Sequence, residues 1–202
     1  MISLEQLLLI PVPPEDVAVA KGTDMEAEAE VLWALVATLR PWNIVELGTR
    51  QAISTRIIAN ARRRYLPEAV KPGNFFTVDP DPACREYIFG ERTGLPPIPC
   101  HFVESTGESV FFNAITPPLM SVDMLVIDTD PHDFVQTAHW CKTWVEQRLR
   151  SGGVAVFHDI KPMRPEINVR GAVFETIFHK ERESYLHNPW EAGPDTFSGL
   201  SI

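Results

Sequence analysis

The stretch Val122–Ile160 decides the fold: VDMLVIDTDPHDF (122–134), then a helical segment, RSGG (150–153) and VAVFHDI (154–160). Two apolar runs joined by a helical crossover make a right-handed βαβ unit with parallel strands. The first run ends in acids and the second in His-Asp, so these groups gather at the carboxyl ends of neighbouring strands, where open α/β sheets bind ligands. Asp128, Asp130, His132, His158 and Asp159 therefore mark a candidate site for a metal or for proton transfer.

Upstream, the same alternation of strand and helix continues. Met25–Leu39 carries Val31, Leu32, Leu35, Val36 and Leu39 at helical spacing, with Ala and Glu between them, and Pro41 stops it. Ile44–Leu47 predicts a strand, followed by Gly48 and a helix from about Ser54 to Arg64. Phe75–Val78 predicts the second strand, closed by Asp79, and Asp81-Pro82 opens a helix. Cys100–Val103 predicts the third strand, ending at Glu104, and Glu108–Ile115 a helix stopped by Pro117 and Pro118. Met124–Ile127 and Val154–Phe157 are the fourth and fifth strands, Val173–His179 is expected to be helical, and residues 184–202 are expected to supply two final strands. The expected fold is α/β: a doubly wound, mostly parallel Rossmann-like sheet of about seven strands, the last antiparallel, with helices on both faces. Residues 1–24 form a separate N-terminal segment, a lid or an oligomer contact, and residues 25–202 the main domain.

Composition narrows the partners. The chain has 202 residues, 45% hydrophobic and 22% charged, as a soluble globular domain does. Its formal net charge of −9 repels phosphate backbones and anionic lipid, so neither nucleic acid nor membrane is an expected partner. The run Arg62–Arg64 is expected at the solvated end of a helix. Cys84, Cys100 and Cys141 show no C-x-x-C spacing and an odd count, the usage of reduced thiols in the cytoplasm. The N-terminus lacks the basic region of a signal peptide, and no apolar run reaches the length of a membrane span.

In IVELGTRQAIST (44–55), a tight turn at Gly48 places backbone N–H groups at a helix start, where an anionic group is held. About thirty residues on, Asp79 ends the second strand, where an acid accepts from ribose hydroxyls. Glu104 or Ser105, ending the third, lies where a nucleobase edge would fall. In order and spacing, the set describes a cradle for an adenosine-containing cofactor. Among the other aromatic residues, Trp33, Trp140 and Trp144 are expected to pack in the core.

These residues resemble the class I S-adenosylmethionine-dependent methyltransferases, in particular the small-molecule branch with macrolide-sugar O-methyltransferases and cephalosporin-hydroxylase-like proteins. The similar stretches are VELGTRQAIST, FFTVDPD, VESTGES, VDMLVIDTDPHDF, SGGVAVFHDI and, loosely, GLSI, spanning roughly residues 30–202. The resemblance implies that Glu46 and Gly48 border the methionyl end of S-adenosylmethionine, that Thr49 also binds the cofactor, that Asp79 holds the ribose, and that Glu104 and Ser105 lie by the adenine. It implies a divalent cation such as Mg²⁺ at Asp128, His158 and Asp159, with Asp128 also bordering the cofactor. His132, shortly after the fourth-strand acid, matches the family's base, and His158 is the second candidate for that role. The implied activity is methyl transfer to a hydroxyl of a small molecule, a sugar or secondary metabolite, by an enzyme that is a candidate homo-oligomer. The sequence departs from the family where G-x-G-x-G becomes Gly48, Arg50, Ala52, where Pro131 displaces His132 by one position, and where His158 stands for a carboxylate or small residue. The glycine-poor loop motivates an alternative, a decayed methyltransferase fold acting as a binding or scaffold protein. A nicotinamide-dependent oxidoreductase lacks its G-x-G-x-x-G here.

Overall fold

Five strands form one parallel sheet in the order β3-β2-β1-β4-β5. They are β1 (Asn43–Leu47), β2 (Asn74–Asp79), β3 (His101–Glu104), β4 (Val122–Ile127) and β5 (Leu149–Phe157). The computed structural model describes residues 6–7, 9–26, 28–66, 74–112, 121–130 and 134–158. The expected final two strands, the antiparallel one among them, and the helix Val173–His179 lie outside those residues, as do His132 and Asp159. β1 and β4 are central and almost wholly buried, as strands covered on both faces must be.

The chain enters through α1 (Pro14–Val17), a short helix with proline in its first turn, and a 3₁₀ turn, Ala18–Ala20. α2 (Ala29–Leu39) ends on Arg40, whose left-handed φ of 49° lets its N–H cap the Val36 carbonyl before Pro41. The short return to β1 sets α2 antiparallel to the strands, so its N-terminus sits at their carboxyl ends. α3 (Ile53–Arg63) follows β1, α4 (Cys84–Ile88) follows β2, and α5 (Gly107–Phe112) follows β3. After β4, α6 (Phe134–Trp140) runs through a π-helical turn, Cys141–Val145, into α7 (Glu146–Arg148). Nothing in the periodicity of this segment signals the π turn. Among the described residues no helix is long and apolar enough to cross a membrane.

Period-2 alternation along the strands feeds two cores, one on each face. Ile44, Phe75, Met124, Val126 and Val156 pack with Leu32, Trp33, Leu35, Val36, Ile57 and Ile58 of α2 and α3. Val45, Leu47, Val78, Leu125, Ile127 and Phe157 pack on the other face with Trp140 and Trp144. The three tryptophans are buried, as their spacing predicts. Burial pushes the thiols of Cys84, Cys100 and Cys141 up to about 12, so they behave as small apolar groups.

The N-terminal segment joins the first of these cores through Leu7 and Ala20. Buried Asp16 accepts from Trp33 Nε1 at 3.0 Å and from Arg64 Nε at 2.9 Å. Arg62 departs from the expectation of a solvated helix end. It is buried, its guanidinium lies 5.6 Å from the Phe75 ring centroid, and its Nη2 donates to the Trp42 carbonyl. An arginine stem packs along apolar surface while its head finds an acceptor, which composition does not reveal. The RSGG segment also differs: it lies inside β5, and the pairing jumps from Val122↔Leu149 to Met124↔Val154, a bulge that takes up the glycines.

Candidate active site

Each strand tip extends its ladder by one residue toward its neighbour. Gly48 N–H donates to the Val78 carbonyl, Asp128 N–H to Leu47, His158 N–H to Ile127, and Ser105 N–H to Asp79. Gly48, Asp79, Ser105, Asp128 and His158 therefore share one edge of the sheet, as the strand readings predict. Glu104 pairs with Asp79 at the end of β3, with its side chain exposed.

The turn after β1 is held from two sides. Asp79 Oδ2 accepts the N–H groups of Thr49 (2.9 Å) and Arg50 (3.0 Å), and its Oδ1 accepts that of Asp81 (2.9 Å). Gly48 has φ of +91°, and a Cβ there would lie 1.8 Å from the Asp128 carbonyl oxygen, so only glycine lets β1 and β4 approach. Arg50 and Ala52 also have left-handed backbone, at φ +46° and +59°. All three glycine positions of the family loop thus keep a glycine-type conformation although two carry side chains. The Arg50 side chain is exposed and reaches outward to Asp24, 3.5 Å away. A left-handed non-glycine residue costs roughly 1 kcal/mol, so Arg50→Gly is expected to raise the melting temperature by about 2–4 °C. The exposed pair with Asp24 offsets little of that gain. A thermal scan that shows a lower melting point would contradict the strain.

Beneath the turn lies a buried polar network. The Glu46 carboxylate is wholly buried and accepts hydroxyl protons from Ser54 (on Oε1), Thr55 and Thr77 (both on Oε2), each at 2.6 Å. Thr77 gives its proton to Glu46, so Thr49 Oγ1, 2.6 Å away, donates to Thr77. Burial raises Glu46 from 4.5 to about 7, the three hydroxyls oppose that rise, and nearby Asp128 adds to it. Glu46 thus fastens the start of α3 to β1 and β2, and Thr49 turns its hydroxyl inward. Ser54, Thr55 and Thr77 carry no motif; a polar threonine inside the apolar run FFTVD is the one local sign of them.

At the other end of the edge, His158 is buried between two carboxylates. Its Nδ1 is 3.1 Å from Asp128 Oδ1 and its Nε2 is 3.1 Å from Glu28 Oε2. Two hydrogen bonds need two protons shared among the three groups. Both ring nitrogens of His158 therefore already face carboxylates, and a metal ion on the ring would have to share one of these contacts. Among the described residues no group of three or more His, Cys, Asp or Glu is arranged to hold a metal. Glu28 has no sequence signature, because its partner lies 130 residues away.

The fold and this edge define a class: a Rossmann-like α/β protein with a tight turn at Gly48 after its first strand. A family model described as a methyltransferase domain matches residues 45–160, more than half of the chain, and the chain belongs to that methyltransferase family. No curated protein matches it. An O-methyltransferase from Bacillus cereus, solved with S-adenosylhomocysteine, is 17% identical with a TM-score of 0.61, covering 88% of this chain and 84% of that one. The O-methyltransferase TomG of Streptomyces achromogenes, involved in tomaymycin synthesis and solved with S-adenosylmethionine, is 17% identical with a TM-score of 0.57, covering 92% and 90%. A Podospora anserina methyltransferase bound to S-adenosylhomocysteine is 14% identical with a TM-score of 0.58, covering 87% and 76%. At these identities the likeness is one of fold.

Proposed function

We propose that the chain transfers the methyl group of S-adenosylmethionine to a hydroxyl of a small molecule, a sugar or secondary metabolite. The observation that carries this is the turn after β1: Gly48, Arg50 and Ala52 keep left-handed backbone, with Asp79 gripping two of the turn's N–H groups. The similar O-methyltransferases solved with S-adenosylmethionine or S-adenosylhomocysteine support it. In this proposal Gly48 and Thr49 border the methionyl end, the remaining acceptor capacity of Asp79 serves the ribose, and Glu104 and Ser105 flank the adenine. Glu46 supports the turn from below.

When bound, the cofactor supplies an electrophilic methyl group on sulfonium sulfur. The chain must hold an acceptor oxygen in line with it and take up the hydroxyl proton. His132 is the proposed proton acceptor, ahead of His158, whose two nitrogens face carboxylates. A divalent cation would be held by Asp128, His158 and Asp159, where it would make the acceptor hydroxyl easier to deprotonate. Residues 1–24 are proposed as a lid or a contact in a homo-oligomer.

Titration calorimetry with S-adenosylhomocysteine tests the function, with micromolar affinity expected. A silent titration would favour the decayed scaffold instead. His132→Ala is expected to lower turnover by about a hundredfold or more, the range of general base catalysis. Cofactor affinity should stay within experimental error. Unchanged turnover of S-adenosylmethionine would remove His132 from the mechanism.

A further inference from the structure

Helix α2 precedes the cofactor turn in sequence, yet its first residues reach the far end of the site. Glu28 stands at the N-cap position of α2, and its side chain is 5% exposed. It meets His158, 4% exposed, at the tip of β5, and His158 in turn meets Asp128 at the tip of β4. Three elements that share no local contact in sequence are thereby joined by one buried imidazole. A buried carboxylate is retained only where it is paired, and this one sits at a helix N-terminus that also favours its charge. Asp128 is the residue whose carbonyl packs against Gly48, so its placement bears directly on the turn.

We propose that Glu28 is a positioning residue of the site: by holding His158 Nε2 it sets the ring that orients the carboxylate of Asp128, the residue whose main-chain carbonyl packs against Gly48. Through this strut the segment leading into α2 becomes a wall of the cofactor edge, next to the Asp24–Arg50 contact. The inference rests on the proposed cofactor for its functional consequence, while the strut is a matter of packing that unfolding experiments read separately.

The test compares Glu28→Gln, Glu28→Leu and His158→Asn, singly and with each Glu28 change combined with His158→Asn. Binding of S-adenosylhomocysteine is measured by calorimetry and stability by urea unfolding. A glutamine oxygen still accepts the Nε2 proton, so Glu28→Gln is expected to bind within about twofold of the unmodified chain. Glu28→Leu fills similar space without an acceptor and is expected to weaken binding about tenfold, the effect of one lost charge-assisted hydrogen bond. In the His158→Asn background, Glu28→Leu should add little further loss, because both changes break one path. Should Glu28→Leu fail to fold, Glu28→Ala replaces it in the cycle with His158→Asn, with non-additive effects supporting the strut and additive effects overturning it. Wild-type binding by Glu28→Leu would also overturn it, since packing alone would then suffice. An unmodified chain silent to S-adenosylhomocysteine would defeat the proposed function, and the unfolding cycle would still rule on the strut by the same criterion.

Discussion

Gly48→Ala is expected to abolish S-adenosylhomocysteine binding and to lower the melting temperature by roughly 10 °C, the shift that about 3–4 kcal/mol produces in a domain of this size. Two costs add at this position. The backbone sits at φ +91°, which L side chains rarely adopt, and the new Cβ would fall 1.8 Å from the main-chain oxygen of Asp128, just past β4. A flexible side chain would swing away, but the carbonyl of Asp128, whose N–H is bonded to Leu47 at the tip of β1, cannot move without disturbing the Asp128–His158 contact. Gly22→Ala is the control. Gly22 also has positive φ, +78°, but nothing lies within 4 Å of its Cβ position. That substitution is expected to cost about 1 kcal/mol of conformational strain and to leave binding intact. Equal losses for the two alanines, read from thermal or urea unfolding, would refute the close approach of β1 and β4.

The second large effect is one of pH. Glu46 is raised from 4.5 to about 7 in the folded chain. Between those values the folded state binds more protons than the unfolded state, so stability falls as pH rises. The contribution is fully present below about pH 4.5 and lost as pH passes through about 7. Its size is on the order of 3 kcal/mol across that window. Glu46→Gln keeps an acceptor for the surrounding hydroxyls but cannot ionise. Its unfolding free energy is expected to show a shallower decline from pH 5 to pH 8 than the unmodified chain. Other groups titrate in both chains, so the difference between the two profiles is the quantity to read. Parallel profiles would mean that Glu46 does not titrate in this window. Glu46→Leu should be worse than Glu46→Gln at every pH, because Ser54, Thr55 and Thr77 would each lose a buried acceptor.

Both effects arise from residues the sequence marks clearly, but for reasons it shows only in part. Glu46 and Gly48 stand out as the polar end of an apolar strand and the glycine after it. The expectation is that they border a cofactor; the structure adds that Glu46 is a buried anchor for α3 and that Gly48 is a packing point against β4. Arg50 and Ala52 break the glycine pattern, which suggests a changed loop, yet the backbone keeps the left-handed shape. The grip of Asp79 on the turn and the burial of Ala52 hold it there. Local preference is worth about 1 kcal/mol per residue, and tertiary contacts outweigh it.

What the sequence alone determined is the order of the five described strands and the helices between them, the edge where their tips gather, and the identity of Gly48, Asp79, Asp128 and His158 as residues of that edge. Those follow from periodicity and punctuation, which act over a few residues. What only the tertiary structure decided is which side chains meet: Glu28 with His158, Arg62 with Phe75, and Glu46 with hydroxyls from two other elements. Such contacts join residues far apart in the chain, and no local preference encodes them. They are selected when two faces of the sheet are covered and each buried charge must find a partner within hydrogen-bonding reach.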